Sequence, residues 1–158
     1  MDWIVRSAIH TDETNVIEAI RSLCAELRAK PDVRLPLSAS KVFQRIINNT
    51  IPGAVIVAET NNGDLIGCAT VSVQEVIFRG GPYALIQELW VHPSYRNHSV
   101  GAALISSVEE FCRKHSLKRL EVCLPHESFV TFNKTLKFYG RVGFTENGPY
   151  MAKTISEN

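Results

Sequence analysis

Residues 89–104 of the chain read LWVHPSYRNHSVGAAL. The segment begins with an apolar run and ends with small residues, so it predicts a strand that is joined by a loop to a helix. Ser99, Gly101, Ala102 and Ala103 lie where this helix begins, and its first amide N–H groups therefore lack side-chain cover. Unpaired donors and the helix dipole favour an anion at such a place. From the pattern alone, an anion site and a tight turn that packs the helix on the strand are equal alternatives.

The elements on either side of this loop predict a parallel strand–helix–strand unit. Tyr83–Val91 carries apolar residues in both alternation classes, as expected for a central strand that is covered on both faces. Val100–His115 has an apolar stripe at helical spacing, and Leu120–Leu124 reads as the next strand. A strand, a helix and a strand in this order place the two strands parallel.

The rest of the chain predicts elements that complete a mixed sheet. A strand near Trp3–Ser7 precedes two helices, one ending before Pro31 and one running from about Ser40 to before Pro52. An antiparallel hairpin follows, and the chain ends with a helix and a strand. These elements are Ala54–Glu59, Leu65–Val73, Phe129–Val142 and a strand near Tyr150–Ile155. We therefore expect one α/β domain over residues 1–158, with a central mixed sheet flanked by helices.

Composition and charge argue against several classes of partner. Lys and Arg number 17 against 16 Asp and Glu, and a net charge of +1 offers no broad attraction for nucleic acid or an anionic membrane. Residues 1–6 are too short and too polar for the apolar part of a signal peptide, and no apolar run reaches a membrane-spanning length. We expect a cytoplasmic protein that binds neither nucleic acid nor membrane.

The cysteines and histidines do not show the spacing of a metal site. The four cysteines are far apart in apolar segments, and the five histidines lack a paired helical spacing. We expect no metal and four buried free thiols. These residues are Cys24, Cys68, Cys112 and Cys123, with His10, His92, His98, His115 and His126.

Two motifs resemble the GNAT acetyltransferase superfamily, and the resemblance covers nearly the whole chain. Leu89–Arg96, followed by Gly101 and Leu104, resembles its acetyl-coenzyme A motif, and Phe138–Tyr139 with Gly143–Phe144 resembles its later aromatic motif. The resemblance implies the GNAT fold, with the strand holding the pantetheine arm and the loop wrapping the pyrophosphate. The implied cofactor-binding residues are Leu89, Trp90, Val91, Arg96, Asn97, His98, Ser99, Val100, Gly101 and Ala102.

The resemblance implies an N-acetyltransferase that uses acetyl-coenzyme A, without a metal. Its acceptor is the primary amine of a small molecule or a peptide, acetylated directly in a ternary complex, and a homodimer is an open option. Ser99 stands where the family has its first loop glycine, and its Cβ penalises a positive φ, so we expect weakened cofactor binding. Because Ser99 and Gln87 depart from the family pattern, the alternative is a binding or regulatory module with little catalytic activity.

Two residues are candidates for proton transfer. The resemblance makes Tyr139 the general acid, because a phenol stays protonated at neutral pH and can protonate a departing thiolate. The other interpretation is that Tyr139 only fills the core, since it lies at helical spacing from Phe132 and Leu136. The backbone of Leu89 or Trp90 is the oxyanion donor that the family precedent implies.

Glu88 is the candidate base. It interrupts an apolar strand, where desolvation would raise the pKa of its carboxyl toward a useful range. Related small-amine acetyltransferases carry a carboxylate at the position that best matches Gln87, and Glu88 would point to the opposite face of a regular strand. Action of Glu88 through water and a purely structural role as an acceptor are both open.

Overall fold

The computed structural model describes residues 2–154, which divide into two compact units, residues 2–122 and 123–154. The first unit contains a five-stranded sheet with helices on both faces. Its strands are β1 (Trp3–Ser7), β2 (Gly53–Thr60), β3 (Leu65–Val76), β4 (Gly81–Val91) and β5 (Leu120–Val122). Its helices are α1 (Glu13–Arg28), α2 (Ala39–Ile47) and α3 (Val100–Lys114), and the second unit contains α4 (Phe132–Arg141). A single domain over residues 1–158 stays a prediction.

The strands lie side by side in the order β1-β2-β3-β4-β5, as a mixed sheet. Neighbouring strands are antiparallel except β4 and β5, which are parallel. The predicted mixed sheet and parallel strand–helix–strand unit are therefore confirmed. β4 lies inside the sheet as expected, but β5 pairs with only three of its residues, Ala84–Ile86.

The two faces of the sheet pack against different helices. Cys68 and Trp90 belong to a buried cluster with Val16 of α1 and Phe43 of α2. On the opposite face, a Cβ at Gly67 would lie 3.1 Å from Leu104 Cδ1 and would push α3 away. Glycine at this position lets α3 lie close to the end of β4, and the predicted loop is thereby held between strand and helix.

Local sequence explains where these elements begin and end. The predicted turn between β2 and β3 is present, with Gly63 at a φ of 86°, a conformation that glycine adopts without a Cβ clash. The stripe predicted for α3 is also confirmed, because Val100, Leu104 and Val108 are fully buried. Within residues 2–154, no helix is both long and apolar enough to cross a membrane.

Three predictions about local structure were wrong. Residues 150–154 form no strand, because Gly148 takes a φ of 103° before a proline that has no amide donor; Ile155 lies outside the described residues. The last helix begins at Phe132, because the Phe129 amide donates to the His126 carbonyl (2.9 Å) in a turn that precedes it. The four cysteines are free as expected, but only two are buried. Cys68 and Cys112 are buried, Cys24 is half-buried and Cys123 is exposed.

Candidate active site

The C-terminal half of β4 has one open edge. Within residues 2–122, β5 pairs with 84–86, and β4 continues to residue 91 without a strand on that side. The His92 amide donates to the Ile66 carbonyl on β3 (2.8 Å), and successive residues of a strand turn their N–H and C=O groups to opposite edges. Leu89 and Val91 therefore present their backbone groups to the open edge, while Trp90 pairs with Cys68 of β3.

A β-bulge produces this arrangement. Thr70 pairs with Glu88 and Val71 pairs with Ile86, so Gln87 is an extra residue in β4. An extra residue reverses the alternation of backbone and side chains beyond it. Before the bulge, the even-numbered residue Ala84 faces the β5 side, where its amide donates to the Arg119 carbonyl (2.9 Å). Beyond the bulge, the backbone groups of the odd-numbered residues face that side. The bulge thus directs the Leu89 amide, one of the two predicted oxyanion donors, to the open edge.

The bulge also corrects the expected position of Glu88. A regular strand would place Gln87 and Glu88 on opposite faces. Instead, the Gln87 amide donates to Ser72 Oγ (2.8 Å) and the Thr70 hydroxyl donates to the Glu88 carboxylate. Ser72 and Thr70 are two residues apart on β3 and share one face of it. The side chains of Gln87 and Glu88 therefore both lie on the sheet face that carries Trp90.

Glu88 is the partly buried carboxylate of this region. Burial raises the pKa of its carboxyl above the usual 4.5, and within residues 2–122 no basic side chain pairs with it. Burial and the nearby Glu88 carboxylate also raise the pKa of the Cys68 thiol, to about 12. A carboxylate with a raised pKa is suited to accept a proton, because it is a stronger base than an exposed carboxylate. Thr70 is a partner that the sequence analysis did not predict, although a hydroxyl within an apolar strand is a signal for it.

The loop after β4 leads to an uncapped helix N-terminus. Ser99 precedes α3 without a side-chain hydrogen bond to the helix, and the first turn carries no acidic residue. The Ala103 amide is bonded to the Ser99 carbonyl (3.0 Å), so the amides of residues 100–102 have no partner within the helix. The predicted cofactor-binding residues are thus placed together beside the open edge of β4, with donors for an anion.

Ser99 adopts the left-handed backbone conformation, with a positive φ, that is unfavourable for a residue with a Cβ. Its φ is 64° and its ψ is 1°, and Asn97 is also left-handed, with a φ of 65°. A left-handed conformation costs an L-residue about 1–2 kcal/mol, less for asparagine than for serine. The predicted backbone strain at Ser99 is therefore present at the start of α3.

Replacing Ser99 with glycine should stabilise the protein and tighten acetyl-coenzyme A binding. Relief of the left-handed strain outweighs the greater backbone entropy of glycine, for a net gain of about 0.5 kcal/mol. Because glycine populates the left-handed loop conformation more fully, the Kd for acetyl-coenzyme A should fall roughly twofold to fivefold. Thermal unfolding and calorimetry measure the two effects.

The control for this substitution is Ser106→Gly, on the exposed surface of α3. It should destabilise the protein by about 1 kcal/mol, because the backbone there is helical. Equal destabilisation by both substitutions would contradict the account of Ser99.

Arg96 connects the loop to α1. Its Nε donates to the Val91 carbonyl (3.0 Å), and one Nη lies 2.7 and 2.9 Å from the two carboxylate oxygens of Glu26. The guanidinium is thus paired with a carboxylate that the sequence pattern did not reveal. Because the two residues are 70 positions apart, no local pattern signalled this ion pair.

Replacing Glu26 with glutamine should tighten binding of acetyl-coenzyme A about threefold at low salt. The substitution removes a negative charge near an anion site and releases Arg96, while the lost ion pair is half-exposed and contributes little to stability. Calorimetry at two salt concentrations measures the change, which salt should reduce. Glu18→Gln, on the same helix and paired with Arg21, is the control. Weaker binding by the Glu26 variant would mean that the ion pair positions the loop instead.

Tyr139 lies in the second unit, near the end of α4. Its side chain is buried, and its ring meets Phe138 and Phe144 edge to face, with centroids 5.2 and 5.4 Å apart. Burial raises the pKa of its phenol above the usual 10, so the hydroxyl keeps its proton at physiological pH. Within residues 123–154 the hydroxyl has no hydrogen-bond partner, although the ring packing is that of a core residue. Residues 2–154 contain no group of three or more acidic, cysteine or histidine side chains that could hold a metal ion.

Comparisons with known proteins point to one family. The model of the acetyltransferase (GNAT) family matches residues 19–144. The fold resembles an acetyltransferase of Trypanosoma brucei, with 22% identity over 98% of this chain and 100% of that chain and a TM-score of 0.72. It also resembles glucosamine-6-phosphate N-acetyltransferase of Arabidopsis thaliana, with 16% identity over 99% of this chain and 100% of that chain and a TM-score of 0.75. A third similar structure is an aminoglycoside acetyltransferase from an uncultured soil metagenomic sample, with 21% identity over 98% of this chain and 97% of that chain and a TM-score of 0.76. At these identities the structural likeness shows the fold alone. No curated protein sequence matches the chain.

Proposed function

Because the chain belongs to the GNAT acetyltransferase family, we propose that it is an N-acetyltransferase that moves the acetyl group of acetyl-coenzyme A to a primary amine. The acceptor is a small molecule or a peptide, and transfer is direct within a ternary complex in the cytoplasm. The observation that carries this proposal is the open edge of β4, at Leu89 and Val91, beside the uncapped N-terminus of α3.

The chain's residues fit the cofactor at both of its ends. The backbone groups of Leu89 and the amide of Val91 offer strand-like hydrogen bonds to a pantetheine arm, and the amides of Val100–Ala102 offer donors to a pyrophosphate. Gly101 and Ala102 add little bulk there. When bound, acetyl-coenzyme A supplies the thioester whose carbon–sulfur bond is replaced by a carbon–nitrogen bond.

In this proposal each catalytic residue handles one proton or one charge. Glu88 accepts a proton from the ammonium form of the acceptor, directly or through water, because an amine attacks only when neutral. The Leu89 amide at the open edge stabilises the negative charge that develops on the carbonyl oxygen. Tyr139 donates its proton to the departing sulfur. The nitrogen gives up a second proton as the amide forms, and this proton restores the Tyr139 phenolate. Glu88 releases the first proton to solvent, so one proton is released in each turnover.

The proposal is tested by calorimetric titration with acetyl-coenzyme A, coupled to a free-thiol assay over a panel of amines, amino acids and peptides. We expect micromolar binding and thiol release that depends on one class of amine. A loop variant, Gly101→Leu, supplies the control, because its side chain would obstruct the start of α3 and should abolish binding. Absence of binding by the natural chain would overturn the proposal.

A second candidate function is an acyl-coenzyme A-binding or regulatory module with little catalysis. The observations that favour it are the strained Ser99 and the presence of Gln87 at the family's carboxylate position. Binding without thiol release over the whole panel would support this module over the enzyme.

A further inference from the structure

The sheet face that carries Glu88 also carries a row of uncharged polar side chains. Ser72 Oγ accepts a hydrogen bond from the Gln87 amide (2.8 Å) and another from the Gln74 amide (2.9 Å). The Thr70 hydroxyl donates to Glu88. We call these five residues of β3 and β4, Thr70, Ser72, Gln74, Gln87 and Glu88, the polar strip.

The polar strip has unused hydrogen-bonding capacity, most of it as acceptors. Each glutamine directs its NH₂ group to Ser72, which leaves its carbonyl oxygen available to another donor. Ser72 accepts twice and keeps its hydroxyl proton to donate. Gln87 is exposed and Ser72 is half-buried, so a bound molecule can reach both of them. The strip therefore suits a partner that carries several N–H or O–H donors.

The charge of the polar strip restricts this partner further. Within residues 2–122, Glu88 has only the Thr70 hydroxyl as its hydrogen-bond partner. Arg79, the basic residue of the adjoining turn, is paired with Glu121 of β5 (3.2 Å) and lies over the rings of Phe78 and Tyr83. A half-buried carboxylate without a counter-ion attracts an ammonium group and repels a carboxylate or a phosphate.

We propose that the acceptor is a small hydroxylated amine, an amino sugar or amino alcohol, bound on the polar strip. Its amine lies at Glu88, and its hydroxyl groups bond to Ser72, Gln74 and Gln87. This inference rests on the proposed acetyltransferase activity and narrows it: an apolar amine would leave these groups unpaired, and an anionic amine would be repelled. A peptide N-terminus supplies few donors beyond its backbone and does not match a row of side-chain acceptors.

The first test compares amines of similar size at saturating acetyl-coenzyme A. Glucosamine carries a ring with hydroxyl groups, cyclohexylamine carries the ring alone, and glucosamine 6-phosphate adds an anion. We expect kcat/KM for glucosamine to exceed that for each of the other two, and for a tetrapeptide, by about tenfold or more. Turnover of cyclohexylamine, the phosphate or the peptide at an equal or greater rate overturns this inference and leaves the acetyltransferase intact. Binding of acetyl-coenzyme A without turnover of any amine overturns the proposed activity, and this inference with it.

The second test locates the recognition on the polar strip. Gln87→Leu and Ser72→Ala should each raise the KM for glucosamine about tenfold while leaving the KM for cyclohexylamine and for acetyl-coenzyme A unchanged. Gln87→Asn, which keeps an amide, should recover part of the loss. Gln44→Leu, on the exposed side of α2 where the amide bonds to Glu13 (3.0 Å), is the control and should change none of these values. An equal rise in KM for both amines would show a general structural effect and overturn the assignment to the strip.

Discussion

Tyr139→Phe should lower kcat by about 10²-fold or more, with the KM for acetyl-coenzyme A nearly unchanged, because the variant lacks the proton that the departing sulfur needs. The ring of phenylalanine keeps the edge-to-face packing with Phe138 and Phe144, so the fold should be preserved. Steady-state kinetics with the free-thiol assay measures the loss. Thermal unfolding of the same sample shows whether the variant remains folded.

The control for Tyr139 is Tyr150→Phe, which removes a hydroxyl from an exposed tyrosine of the same unit and should leave kcat unchanged. Burial raises the pKa of the Tyr139 phenol, so its proton is retained throughout an ordinary assay range. The acid role therefore adds no falling limb to the rate between pH 6 and about pH 9. An unchanged kcat for Tyr139→Phe would leave Tyr139 as a core residue only.

Periodic patterns in the sequence were enough to predict most of the fold. The apolar stripe of α3 and the Asn61–Asp64 turn each depend on neighbours within a few residues, and both were located correctly. The prediction of a final strand was wrong because strand formation depends on a pairing partner, which the residue alternation near Tyr150 does not specify. Likewise, hydrophobicity alone did not distinguish the exposed Cys123 from the buried Cys68.

The candidate site was predictable where it depends on backbone and much less so where it depends on long-range contacts. The left-handed strain at Ser99 followed from a side chain where the family has glycine. The bulge at Gln87 could not be predicted from the sequence, because an extra residue in β4 is recognised only from the register between β4 and β3. Without that register, Glu88 was assigned to the wrong face. The Glu26–Arg96 pair was missed for a similar reason, since its members are far apart in the chain.

Glu88→Gln should lower kcat/KM at neutral pH by about 10²–10⁴-fold, because the amide cannot accept the acceptor's proton. The variant keeps an oxygen that can bond to the Thr70 hydroxyl, so a purely structural role would leave the rate nearly unchanged. Burial raises the pKa of the Glu88 carboxyl, and the active carboxylate is lost as the pH falls through that raised value. The acidic limb of the wild-type pH–rate profile should therefore disappear in the variant.

The same pKa shift predicts the opposite effect on stability. A carboxyl whose pKa is raised by folding holds its proton more tightly in the folded chain, so its contribution to stability is present below the unfolded pKa, near 4.5, and is lost as the pH rises through the folded value. Glu88→Gln removes that dependence and should make the protein more stable than wild type at pH 7, with little difference at pH 4. Glu75→Gln, an exposed residue on the opposite face of β3, should change neither rate nor stability. Thermal unfolding at the two pH values, beside the rate profile, decides between a base and a structural acceptor: only a base combines a gain in stability at pH 7 with a large loss of activity.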